Sequence, residues 1–193
     1  MIHYHGTPIT PGAVLSRLGG RSFCVSYAAP SQVRQCHEIG EGVMLDNGAF
    51  SLWRQGKATD WDGYYRWCAP WLDYPTTWAV IPDVIDGDEA DNDALIRAWP
   101  FGARGAPVWH LHEPIDRLVR LAGEWSRVCV GSSGAYSSVG TAAWHRRMEG
   151  AMNALCGNGP VPVWLHMLRG MALAGGQYPF ASVDSTDIAR NHH

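Results

Sequence analysis

A chain of 193 residues with a hydrophobic share of 46% and a charged share of 17% holds one globular domain with a proper core and has no disordered or fibrous signature. Its formal net charge of -3 argues against a strongly basic nucleic-acid-binding face, while a loose arginine cluster (Arg117, Arg120, Arg127, Arg146, Arg147) still permits a local basic groove. Five scattered cysteines without a C-x-x-C pair read as reduced thiols of a cytoplasmic protein, nothing resembles a signal peptide, and no apolar run approaches the roughly 20 residues of a spanning helix.

After MIHYHG, Thr10 and Pro11 supply an N-cap and an N1 proline for a short helix over 11–18, which Gly19-Gly20 ends. RSFCVSYA (Arg21 to Ala28) reads as a strand, and Ser31 caps a helix through Ile39 that Gly40 stops. Val43-Met44-Leu45 is a short buried strand closing on DNGAF, Asp46 to Phe50. Thr59 or Asp60 caps the next helix, in which Trp61, Tyr64, Tyr65, Cys68 and Leu72 recur at helical spacing and so pack against a sheet. Most of the ten tryptophans belong to such packing, with a few left to line a pocket that stacks a flat ligand.

Trp78 to Ile81 is a strand ending at Pro82-Asp83. The acidic residues Asp86, Asp88, Glu89, Asp91 and Asp93 precede a helix through Trp99; their spacing does not fit a calcium loop, and acid at a helix N-terminus is favoured by the dipole. Pro107 to Leu111 is a strand, Pro114 opens a helix, and Arg127 to Val130 is a strand leading into Gly131-Ser132-Ser133-Gly134. A longer helix spans 141–155, Gly157-Asn158-Gly159-Pro160 breaks the chain, and Val161 to Leu165 is a strand reaching His166, with a short helix beyond it. The last strand runs through Phe180, Ala181 and Val183 to Asp184, followed by polar residues that cap a C-terminal helix.

About seven strand–helix units of about 25 residues imply an α/β protein with a parallel sheet. A doubly wound open sheet places its site at one switch point. Here polar residues end nearly every strand, as in a (β/α) barrel, which is the favoured architecture over residues 1–193 with some elements shortened.

Asp46 and Asp184 are the leading catalytic candidates, because two carboxylates at strand ends suit nucleophilic and acid/base work at an acetal-like carbon. Each has a structural use as well: D-N-G favours turns, and Asp184 or Asp187 suits a helix cap. Asn47 and Gly48 keep bulk away from a planar ligand, Asp83 suits an amide or amidine edge, and Gly131, Ser132 and Ser133 offer N–H groups and hydroxyls to a base or a phosphate. His110 and His112, two apart on one side of a strand, suit metal ligation with Asp46, His166 and Asp184, although the nearby Pro114 draws His112 into the loop.

In order along the chain, these segments resemble the tRNA-guanine transglycosylase superfamily, and most closely its compact members acting on 7-deazaguanine in DNA, often phage-encoded. DNGAF is similar to the family's D-S-G-G-F, PDV at Asp83 to its base-recognising aspartate, and VGSSGAY to its V-G-G-L-A segment. LHMLRG, carrying His166, resembles H-L-L-G, and SVDSTDIAR resembles the segment with the nucleophilic aspartate. The resemblance implies a trimmed TIM-like barrel without the zinc-binding appendage, since no C-x-C-x-x-C…H motif is present, and hence DNA as a partner ahead of tRNA. It implies Asp184 as nucleophile at C1′, Asp46 as proton carrier, and base contacts from Asp83, Ser132, Ser133 and His110. Phe50 or a neighbouring aromatic would stack on the base, with no cofactor and no metal, in the cytoplasm (the host's, if phage-encoded).

Resolution by an incoming base makes a transglycosylase, and resolution by water makes a DNA glycosylase. Two further readings stand beside these: a metal-dependent hydrolase using His110, His112 and His166, and a non-catalytic subunit that binds nucleic acid or a catalytic homologue.

Overall fold

In the computed structural model, which describes residues 1–157, 159, 161–173 and 175–185, nine parallel strand segments form one sheet. They are β1 (Ile2–Gly6), β2 (Ser22–Ser26), β3 (Gly42–Asp46), β4 (Thr77–Val80), β5 (Gly105–Ala106), β6 (Val108–His110), β7 (Arg127–Gly131), β8 (Trp164–Met167) and β9 (Ser182–Ser185). Their spatial order is β5-β4-β3-β2-β1-β9-β8-β7-β6. The two ends of that order, β5 and β6, are separated by Pro107 alone, so the chain itself joins them. Proline has no N–H to give the ladder, but its carbonyl accepts from Cys129 N at 2.8 Å, and Ala106 O accepts from Ile81 N at 2.9 Å. β5 and β6 thus act as one stave broken at Pro107, and the sheet is a nearly closed parallel barrel of TIM-like form with eight staves.

The expected strands and helices recur with small shifts of boundary, and three differences matter. MIHYHG, read only as a leader to the first helix, is the strand β1. It lies between β2 and β9 and brings Tyr4 level with Asp184. Sequence reasoning gave about seven units because His3 and His5 dilute the apolar alternation of so short a run. The strand expected over 161–165 begins instead at Trp164, because its first residues form bends and Pro162 cannot donate to a ladder. The short helix expected after His166 is a single 3-10 turn, Met171–Leu173. The Asp187 cap and C-terminal helix lie outside the described residues, as do Asn158 and Pro160 of the chain break.

Among the described residues seven α-helices surround the barrel: α1 (Gly12–Ser16), α2 (Val33–Ile39), α3 (Ala49–Arg54), α4 (Trp61–Cys68), α5 (Glu89–Ala98), α6 (Ile115–Glu124) and α7 (Ala142–Cys156). The chain accommodates eight staves by shortening helices; only α7 reaches 15 residues. Asp60 caps α4 by accepting from Gly63 N, and Thr141 caps α7 by accepting from Trp144 N. Asp88 and Asp91 form a reciprocal capping box on α5, which gives two members of the acidic run a structural use.

Period-two alternation sorts the strand side chains. Tyr4, Cys24, Met44, Trp78, Val80, Ala106, Val108 and Cys129 fill the barrel interior. Their neighbours Phe23, Val25, Val43, Leu45, Ala79 and Ile81 pack outward under one set of helices, and Val128, Val130, Leu165, Met167 and Val183 under another. The same phase carries inward Ser26, Asp46, His110, Gly131 and Asp184 at the C-terminal ends, and Ser22, Gly42, Arg127 and Trp164 at the N-terminal ends.

From α4, the Tyr64 hydroxyl lies 2.7 Å from Val80 O and 3.1 Å from Leu45 O, clipping together the staves that lead to Asp46 and Asp83. Tyr64 is fully buried. Replacing it with Phe should leave those carbonyls short of a donor and lower stability by about 1–3 kcal/mol in urea titrations; an unchanged midpoint would show that the hydroxyl does not brace the staves.

Candidate active site

Three carboxylates converge at the C-terminal mouth of the barrel. Asp184, on β9, is 8% exposed. Its Oδ1 accepts from the backbone N of Arg169 at 2.7 Å and lies 3.2 Å from His166 Nε2. Arg169 reaches this position with φ 58, a left-handed conformation that a non-glycine residue adopts only with local strain. The other His166 nitrogen, Nδ1, is 2.8 Å from Ser182 Oγ, which also accepts from Trp164 Nε1 at 2.8 Å. Because an indole N–H only donates and a carboxylate only accepts, one arrangement satisfies every atom with the imidazole neutral. Trp164 donates to Ser182, Ser182 donates to His166 Nδ1, and His166 Nε2–H donates to Asp184.

Asp83 sits in the loop after β4 and is equally well held. Its Oδ1 accepts from Asn47 Nδ2 at 2.7 Å, and its Oδ2 is 2.9 Å from His110 Nε2. Asn47 also donates to Ile81 O and accepts from Ala49 N, so its amide positions Asp83 and is fully engaged within the protein. His110 Nδ1 is buried without a hydrogen-bond partner among the described residues. It faces Gly131, where an added Cβ would stand 3.0 Å from that nitrogen, so glycine keeps the space beside it open. His110 is fixed from behind as well: its backbone N donates to Glu113 Oε2, which also receives Arg117 Nη1 at 2.7 Å.

Asp46 is the least restrained of the three. The Gly48 N–H donates to its Oδ2 at 3.1 Å, across a turn in which Gly48 has φ 77 and an added Cβ would come within 3.1 Å of Ala28 N. Loss of water raises its pKa to about 6, and the nearby charges of Asp184 and Asp83 push in the same direction, against the lowering effect of the Ser26 hydroxyl. Beneath the acids lie Cys24 and Cys129, whose thiols burial and the same carboxylate charges hold well above the ordinary range, so they are inert filling. All five cysteines are free.

The remaining candidates have partners within the protein. Ser132 Oγ accepts from Trp144 Nε1 at 3.0 Å, and Ser133 Oγ is 2.7 Å from His112 Nδ1, so each hydroxyl has a partner within the protein. Phe50 stands at the mouth with the Arg169 guanidinium 4.1 Å from its ring centroid. The rings of His110 and His112 stack at 5.7 Å, although His112 lies in the turn beyond β6, as the nearby Pro114 suggested. Even so, His110 turns to Asp83, His112 to Ser133, and His166 to Asp184. Among the described residues no group of three or more His, Cys, Asp or Glu side chains is arranged to hold a metal ion, so the geometry does not assemble the ligand set that the hydrolase reading needs. Sequence reasoning missed Arg169, Ser182 and Glu113, which act on the site through backbone N–H groups or through a neighbouring strand. No short motif signals such roles.

A cavity of about 220 Å³ adjoins Asp83 and is lined by Trp53, Lys57, Trp61 and Val84 among others. The larger cavity, about 380 Å³, opens at the opposite, N-terminal end of the barrel and is remote from this chemistry. Among the described residues, no helix is long and apolar enough to cross a membrane. No family model, curated protein or solved structure matches this chain.

A raised carboxylate pKa is also a statement about stability. With Asp46 favouring its protonated form in the fold, its contribution is fully present below the ordinary value of 3.8 and is lost as pH rises through about 6. Asp46→Asn should therefore gain stability relative to the wild type by about 2–3 kcal/mol between pH 4 and pH 7.5. Denaturant titrations at the two pH values check this, and a difference independent of pH would show that Asp46 ionises normally.

Proposed function

We propose that this chain is a base-exchange or base-releasing enzyme of the tRNA-guanine transglycosylase type, acting on a purine or 7-deazaguanine-type base in DNA through a covalent intermediate on Asp184. The carrying observation is one barrel mouth with two differently conditioned carboxylates. Asp184 is buried and aimed by His166 and the Arg169 N–H, and Asp46 titrates at about 6. An aimed carboxylate suits attack, and a carboxylate near neutral pKa suits proton delivery and removal.

In the first step an Asp184 oxygen attacks C1′ of a nucleotide presented to the mouth, flipped out if the DNA is duplex. The bond from C1′ to the base nitrogen breaks, its electron pair stays on the base, and protonated Asp46 supplies a proton to the departing ring. In the second step Asp46 removes a proton from an incoming base or from water, whose lone pair attacks C1′ and frees the Asp184 carboxylate. The buried dyad of Asp83 and His110 supports reading of the base edge. Asp83 is fixed by Asn47, and the unpartnered His110 Nδ1 is an acceptor awaiting a ligand N–H. Gly131 leaves room there, and the Ser132 and Ser133 hydroxyls are not needed for this contact.

The test is incubation with modified and unmodified DNA and mass spectrometry of the released bases, with labelled free base included to separate exchange from hydrolysis. Asp184→Asn should reduce release by about a thousandfold or more while the fold and DNA binding persist. Uptake of labelled base identifies exchange, and abasic sites identify hydrolysis. Full activity in the Asp184→Asn protein would end this mechanism.

A further inference from the structure

At the N-terminal mouth of the barrel, Arg127 is a cation without a counter-charge among the described residues. It opens β7 in the inward phase, level with Trp164 on β8. Its guanidinium carbon lies 4.5 Å from the Trp78 ring centroid and 5.2 Å from that of Trp164. Its Nε is buried and lacks any hydrogen-bond partner, and no carboxylate lies within ion-pair distance among the described residues. Desolvation lowers its pKa, and the groups that oppose this, Tyr4 and Cys129, are both ordinarily neutral.

An arrangement of this kind is unfavourable unless something completes it. Cation–π contacts offset only part of what it costs to take a guanidinium N–H out of water without a hydrogen-bond partner. Both indoles lie within cation–π distance of the guanidinium. Its N–H groups all lie in the ring-like plane, and in that plane two parallel bonds to an oxyanion are the matching geometry. Arg127 borders the cavity of about 380 Å³, whose other walls include Trp78, Trp164, Ser22 and the exposed Thr76. That volume lies in the range of small-ligand pockets.

We propose that this cavity is a binding site for a small oxyanion, a carboxylate or phosphate on a compact flat body, held in the plane of the Arg127 guanidinium between Trp78 and Trp164. Glu41 and Arg104 also line the cavity. Both are exposed, so they balance at the entrance and leave Arg127 as the charge that selects the ligand deeper in. The site is separate from the carboxylate mouth and does not rest on the function proposed for it.

Calorimetric titration of the whole protein with benzoate, with inorganic phosphate and with benzylammonium, at constant ionic strength, tests this. Saturable binding of benzoate, phosphate or both is expected, with none for the cation, and the preferred anion separates a carboxylate ligand from a phosphate one. Arg127→Met should weaken binding at least tenfold, and it removes an unpaired cation, so its unfolding midpoint in anion-free buffer should not fall. Thr76→Trp blocks the cavity from an exposed position without touching the guanidinium, should abolish binding equally, and decides the matter alone if the Met variant does not fold. Asp184→Asn should bind the anion as the wild type does. Absence of saturable anion binding in the wild type, or binding undiminished in either cavity variant, overturns the proposal.

Discussion

Crowding of three carboxylates into one desolvated barrel mouth is the constraint on which the rest of the site depends. Like charges in a low-dielectric space cannot all ionise freely, and each needs donors or must keep its proton. Asp184 has His166 and the Arg169 N–H, and Asp83 has Asn47 and His110. Asp46 has a weaker set, so burial first, and the charges of Asp184 and Asp83 after it, raise its pKa to about 6. The distance from the ordinary value of 3.8 corresponds to about 3 kcal/mol of preference for the protonated form. That preference turns a structural difficulty into an acid/base group near neutral pH.

The supports of the mouth reach down through the barrel. The chain from Trp164 through Ser182 and His166 to Asp184 starts on the same indole that flanks Arg127 at the other end. Tyr4 and Trp78 meet the His166 ring edge-on at 5.8 and 5.2 Å, and Trp78 donates its indole N–H to the Tyr4 hydroxyl. The interior is thus a polar spine within an aromatic and thiol packing. It explains why His166, fully buried, is tolerated: both ring nitrogens have partners.

Much of the barrel was legible in the residues. Apolar runs ending in Asp46, Asp83, His110 and Asp184 marked strands, and Asp60 marked a helix start by its capping chemistry, whereas the caps expected from Thr10 and Ser31 are not made. The first stave was not legible, because IHYHG shows too little alternation to separate it from a leader, and only pairing on both sides makes it a strand. Asp46 and Asp184 stood out because a strand-end carboxylate is a local signal. Partnerships across neighbouring strands, such as Ser182 with His166, depend on register and leave no trace in local spacing. Ser132 and Ser133 are a similar case: the local sequence gave no sign that Trp144 and His112 lie against their hydroxyls.

The central claim is that an Asp184 oxygen becomes bonded to a sugar carbon, and intact-protein mass spectrometry of the wild type, acid-quenched during turnover on a short DNA, tests it most directly. The proposed chemistry predicts a protein–DNA adduct that peptide mapping assigns to the segment containing Asp184. Release of base with no adduct trapped at any time point, or an adduct mapped to Asp46, would contradict it.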